Sequence, residues 1–214
     1  MKNQIINIYR FIREYFIQLE QRRKRKLYSG DNKTIIARNC VAGVIYHDLG
    51  LEFKSPTINL WIENPEFCEF LKYLPDFIRG ELQEITSPYD YPVGKLSCMT
   101  VDGKKQIKIY FQHYATFQDA RQQWLKRCQR MDLNNIYIIV EDGNNLTQTD
   151  VDRYECLGFD KMAILSGNRN LKGKHIVYMK SFTRKSFPGT SVKHRGLFGK
   201  RWVDEFDYVS FLDS

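Results

Sequence analysis

Between positions 5 and 19 the apolar residues Ile5, Ile6, Ile8, Tyr9, Ile12, Phe16 and Leu19 return mostly at intervals of three and four, the repeat of an amphipathic helix with a wide apolar stripe. The pattern runs into Gln21-Arg22-Arg23-Lys24-Arg25-Lys26 and stops near Ser29-Gly30-Asp31. Beyond it, short apolar runs predict strands over 34–38, 57–62, 95–100, 106–112, 135–140, 162–165 and 175–179. Helical stretches separate them. A turn at 39–43 leads into one helix, and Pro65 suits the first helical position of another whose stripe is Phe67, Phe70, Leu71, Leu74, Phe77 and Ile78. Thr116 can cap a helix that runs to Arg130, a further one begins near Thr147, and a last one spans 203–212. Asp102-Gly103 joins the two central runs as a hairpin. Strands alternating with helices predict a three-layer α/β/α fold, with the hairpin making its sheet mixed. The organisation expected is an arm over 1–30 and one α/β domain over 31–214 that carries a basic, aromatic extension at about 180–203.

Charge sharpens the picture of the arm. Of the formal net charge of +8, residues 1–30 hold +6, from eight Lys/Arg against Glu14 and Glu20. An amphipathic helix with a polybasic end suits an anionic membrane surface, or a partner protein, through residues 2–28; docking on the domain itself is the more ordinary use of such a stripe. Five cysteines spaced 28 to 30 apart, with no C-x-x-C pair, argue against a disulfide framework or a structural zinc site and for a reducing compartment. No run is long and apolar enough to span a bilayer, and the first residues lack the form of a cleaved leader. A cytoplasmic protein, peripheral at the inner membrane, is the expectation.

The segment Ile35-Ile36-Ala37-Arg38-Asn39-Cys40-Val41-Ala42-Gly43-Val44-Ile45-Tyr46, followed by Leu49-Gly50-Leu51 and Ser55-Pro56-Thr57, resembles the opening signature of a bacterial domain family of unknown function often labelled exopolysaccharide biosynthesis protein. Tyr91-Pro92-Val93-Gly94, then Phe111-Gln112-His113-Tyr114, then Ala120 and Trp124 leading to Arg127 and Arg130, and the strand over 136–140 are similar to its later segments. The likeness covers roughly residues 34–170, and it departs after Cys40, where this chain reads Val-Ala-Gly. It implies a three-layer fold and a setting in cell-surface glycan production, but no reaction.

Chemistry therefore has to come from the residues. Cys40 stands on a strand-to-helix turn, where a helix N-terminus can stabilise a thiolate, and His113 ends a strand. With Asn39 or backbone N–H groups as oxyanion donors, a Cys40–His113 pair would suit acyl transfer or hydrolysis. Arg121, Trp124, Arg127 and Arg130 share one predicted helix and can bind a phosphate or carboxylated sugar, with the indole on a sugar face; Tyr46 and Ser55 complete the candidate substrate contacts. Glu141-Asp142 at a strand end is a weak alternative for metal or substrate, and Asp150-Val151-Asp152 a weaker one, because acidic residues favour a helix start anyway. Dinucleotide, P-loop, zinc-protease and G-x-S-x-G signatures are missing. Cationic and aromatic residues from Arg184 to Trp202 come without a zinc-finger or RNP pattern, so nucleic acid is set aside as a partner. The expected function is group transfer, by acyl transfer or hydrolysis, on a glycan precursor or sugar phosphate at the cytoplasmic membrane face. The alternatives are a nucleotide-sugar-dependent transferase and a non-catalytic scaffold of a glycan assembly complex. The cofactor is left open.

Overall fold

The computed structural model describes residues 2–142, 146–182, 193 and 198–214, with side chains from residue 7 onward. The N-terminal pattern forms one helix, α1 (Lys2–Leu27), with Lys24, Arg25 and Lys26 in its last turn, where the helix dipole favours cations. Strand β1 (Thr34–Ala37) is buried along its whole length. Helix α2 (Val41–Leu49) follows and is closed by Gly50, whose left-handed φ of 70° few other residues would adopt.

Residues 57–62, expected as a strand, make only an isolated bridge, Trp61 to Tyr110. Asn59 at φ 61° interrupts the extended chain, and the side chains there take over the pairing that a ladder would supply. The Ser55 hydroxyl accepts from the Thr57 N–H, and the Thr57 hydroxyl accepts from the Ala37 N–H. The helix expected over 65–78 is two, α3 (Asn64–Lys72) and α4 (Leu74–Phe77), broken at Tyr73. Pro75 is the cause: it has no N–H to donate, and its ring crowds the carbonyl four residues back.

Strands β2 (Glu81–Ile85), β3 (Val93–Thr100) and β4 (Gly103–Tyr110) form an antiparallel sheet in that order. The hairpin turn is Val101-Asp102, with Thr100 opposite Gly103. β2 escapes the sequence pattern because it buries only Leu82. Helix α5 (Phe117–Cys128) is capped by Thr116, and α6 (Gln148–Glu155), after β5 (Ile136–Glu141), has a capping box of Thr147 and Asp150. β6 (Met162–Ser166) and β7 (Ile176–Tyr178) complete a second, wholly parallel sheet of order β1-β5-β6-β7. A 3-10 turn (Trp202–Glu205) and α7 (Tyr208–Leu212) stand where one last helix was expected. Most of the expected 180–203 extension lies outside the described residues.

The α/β expectation holds, but the one mixed sheet is two sheets: β3 pairs with β2 on one side and β4 on the other, and neither β3 nor β4 pairs with β1 or β5. The parallel sheet is covered on both faces, as its near-continuous apolar strands require. Ile36, Ile138, Val140 and Ile164 face Phe67, Phe70, Trp124, Tyr154 and the inner side of the antiparallel sheet. Ile35, Ala37, Tyr137, Ile139 and Leu165 face α2, Trp202, Tyr208 and Leu212. Its C-terminal edge is the end from which α2 departs and where Glu141 and Ser166 finish their strands.

Candidate functional site

At that edge β1 runs out into Arg38, Asn39 and Cys40. The Asn39 carboxamide oxygen accepts from the Val41 N–H and so caps α2 from one residue outside it. Arg38 ties the edge together, its guanidinium donating to the Ile62 carbonyl (3.4 Å) and to the Glu141 carbonyl (3.2 Å). Its Nε is buried with no hydrogen-bond partner among the described residues.

Glu141 is the most unusual group here. Its residue is 1% exposed, and neither carboxylate oxygen has a partner among the described residues. Buried carboxylates are normally paired. Burial, with Asp142 adding like charge and Arg38 offsetting part of it, raises its pKa from 4.5 to about 7. That value suits proton transfer near neutrality.

Cys40 lies beside this carboxyl but is not poised as a thiolate. Burial pushes its thiol up, the Gln112 hydrogen bond offsets some of this, and the charge of Glu141 adds to it. Desolvation here outweighs what the start of α2 offers. Gln112, through its side-chain N–H at 3.5 Å, is the residue that reaches the sulfur. His113, expected at a strand end, lies three residues past β4 and is exposed.

The other candidates scatter. Tyr46 donates to the Lys33 carbonyl and accepts from the Ile35 N–H, at the opposite end of β1 from Cys40. Ser55 is buried against Thr57. Trp124 lies in the core, while Arg127 donates to the Ile58 carbonyl (3.1 Å) and the Tyr114 hydroxyl (2.8 Å). Arg130 pairs with Glu52 at 3.1 Å, and Arg121 is exposed. The structure thus divides the four: Trp124 and Arg127 are turned inward, while Arg121 is exposed and Arg130 pairs at the surface.

The other carboxylates considered for metal, apart from Glu141, are engaged locally. Asp142 accepts from the Leu146 N–H and the Ser166 hydroxyl, Asp150 from the Thr147 N–H, and Asp152 from the Gln148 amide. Among the described residues no group of three or more His, Cys, Asp or Glu could hold a metal ion.

Arg38, Gln112 and a set of aromatic rings beside them were not singled out by the sequence. The Trp61 indole stacks on Tyr110 at 3.8 Å and 6°, Tyr89 meets Tyr110 edge-on at 5.9 Å, and Tyr89 stacks on Tyr91 at 4.9 Å. Arg38, Gln112 and Tyr91 fall within the segments that carry the family resemblance, without being named as site residues, and Trp61, Tyr89 and Tyr110 carried no such signal. Surface cavities of about 460 Å³, at Asp76 and Arg79, and about 570 Å³, between Phe16 and Asp204, lie elsewhere.

Helix α1 presents two faces. Gln21 donates to Asp48, Lys24 to Asp204 and Arg25 to the Asp48 and His47 carbonyls, which holds its C-terminal half on the domain. On the opposite side Ile8, Phe11, Tyr15 and Leu19 are exposed. They follow one another at helical spacing, and the exposed Arg22 and Lys26 continue their line. No helix among the described residues is long and apolar enough to cross a membrane.

A family profile describing a domain of unknown function, DUF1919, matches residues 8–213. A protein of Haemophilus influenzae named only as uncharacterized is 30% identical over 190 residues, which cover 89% of this chain and 88% of that one.

Proposed function

This chain belongs to the DUF1919 family, a domain of unknown function, and on that premise we propose that the C-terminal edge of its parallel sheet is a group-transfer site acting on a glycan precursor, with Glu141 moving the proton. The observation that carries this is a fully buried carboxyl with both oxygens unpartnered among the described residues, at the strand ends where open α/β sheets place their ligands. In acyl transfer or hydrolysis, Glu141 takes the proton of the attacking hydroxyl or water as its oxygen adds to the acyl carbonyl. The Arg38 Nε–H is available to the oxyanion that develops. Collapse expels the leaving group, which recovers the proton from Glu141. Cys40 enters as a neutral lining group, and the glycan setting comes from the family resemblance.

The test is turnover of a panel of O-acetylated sugars, alone and with acyl-thioester donors, followed by NMR. Wild-type protein is expected to release or transfer the acyl group with a rate inflection near the Glu141 pKa of about 7, and Glu141→Gln to lose about 10²- to 10⁴-fold. Equal rates in the two proteins, or no turnover across the panel, would sink the proposal.

The reading extends to the inner membrane face through α1. An apolar line ending in two cations, turned away from the domain, fits a surface of anionic lipid, where each nearby Lys or Arg contributes about 1 kcal/mol. Sedimentation with vesicles checks this. Phosphatidylserine-containing vesicles should retain the protein and pure phosphatidylcholine vesicles should not, and Phe11→Ser with Tyr15→Ser should reduce binding about tenfold or more. Equal retention on both vesicle types would count against it.

A further inference from the structure

Beside the Glu141 edge stands an aromatic group that the reaction does not use. Trp61, half-buried, lies flat on Tyr110, and the backbone bridge between these two residues fixes the pair in register. Tyr89, about half exposed, stands edge-on to Tyr110 and flat on Tyr91. The segment bearing Trp61 is held to the end of β1: the Ile62 N–H donates to the Arg38 carbonyl, and Arg38 reaches both Ile62 and Glu141. The backbone that carries Trp61 is therefore tied directly to the strand end of the proposed site.

Carboxylates frame them. Glu63, exposed, accepts from the Tyr110 hydroxyl at 2.9 Å. Glu66 accepts from the Lys108 N–H with one oxygen, and its other oxygen is buried with no hydrogen-bond partner among the described residues. The partly exposed Trp61 and Tyr89 rings beside the exposed Glu63 carboxylate, which has further acceptor capacity, match a ring whose faces are C–H and whose rim is hydroxyl. A phosphate or a nucleotide would bring its charge up against Glu63 and Glu66 and is disfavoured. A purely apolar ligand would take water from Glu63 without giving it a donor.

We infer that Trp61 and Tyr89, backed by the buried Tyr110 and flanked by Glu63, form a subsite for a neutral pyranose ring. This deepens the glycan reading above and rests on it only for the sugar class. The subsite holds a sugar unit next to the one that meets Glu141 and so selects a substrate of at least two residues.

The experiment is a titration of the intact protein with neutral disaccharides (lactose, maltose and N,N'-diacetylchitobiose) and with adenosine and uridine as controls, followed by tryptophan fluorescence. Since Trp61, Trp124 and Trp202 all emit, variants assign the signal. At least one disaccharide is expected to give a saturable change. Trp61→Phe should still bind, by NMR, within a few-fold, while Trp61→Ala and Tyr89→Ala should bind about tenfold more weakly. Tyr89→Ala changes an exposed residue, so it remains informative if Trp61→Ala fails to fold. No saturable response to any disaccharide, a response to nucleosides alone, or unchanged affinity in Tyr89→Ala would overturn the inference. Glu141→Gln separates the two readings: binding kept with turnover lost supports both, and turnover without disaccharide binding removes the subsite and leaves the reaction.

Discussion

Replacing Arg201 by alanine is expected to destabilise the protein by about 3–5 kcal/mol, because it strands a buried charge. Asp48, whose side chain is fully buried, meets both terminal nitrogens of Arg201 and also accepts from the Tyr208 hydroxyl at 2.7 Å and the Gln21 amide at 3.1 Å. Arg201 in turn holds Asp204 at 2.8 Å, and Lys24 holds Asp204 from the other side at 2.7 Å. Burial opposes ionisation of both carboxyls, but the hydrogen bonds and charge of Arg201 outweigh it. Asp48 is held below its ordinary range and Asp204 falls to about 2. A carboxylate with a depressed folded pKa contributes stability above its unfolded value near 4, and the contribution is lost as pH falls toward the folded value. Urea unfolding should therefore show wild-type protein weakening as pH drops from about 4 toward about 2, and Arg201→Ala already weak at pH 6. The pair Asp48→Asn with Arg201→Met removes both charges together and should recover much of the loss. A loss under about 1 kcal/mol in Arg201→Ala would show that solvent reaches Asp48.

The second large effect has the opposite sign in pH. Glu141 carries a raised folded pKa, from 4.5 to about 7, so in the unfolded chain it gives up its proton first. Stability is unaffected below the unfolded value, falls as pH rises between the two, and levels off above the folded value. The full drop is about 3 kcal/mol. Glu141→Gln cannot ionise and should show no such decline, so at pH 8 the variant should exceed wild type by up to about 3 kcal/mol while matching it near pH 5. Parallel curves for the two proteins between pH 5 and 8 would mean that Glu141 is solvated or paired in solution. A residue that weakens the fold at the pH where it would transfer a proton is the usual mark of a site kept for function.

Much of the architecture was legible because the parallel strands are apolar on both sides and their helices carry caps, as at Thr116 and Thr147. The missed features have local causes. β2 offers one buried side chain and so no alternation, and residues 57–62 look like a strand in composition but turn at Asn59. The site was legible only in its address. A strand-end reading named Cys40 with His113, Asn39 beside them and Glu141-Asp142 as a weak alternative, but sequence cannot show which acidic side chain points inward. Glu141 and Asp142 are adjacent and chemically alike, yet Asp142 closes a loop through Leu146 and Ser166 while Glu141 is left without a partner among the described residues. On the cationic helix face at Trp124, spacing alone could not show that Arg127 turns inward, to the Ile58 carbonyl and Tyr114.

Helix α2 has two ends with different tenants. Its first turn begins at Cys40, beside Glu141, and its last turn carries Asp48, the residue to which the arm and Arg201 are tied. Nine residues of α-helix make a stiff rod about 13 Å long. The arm and the turn that positions Asn39 and Cys40 are thus mounted on one beam, joined by helix and not by loop.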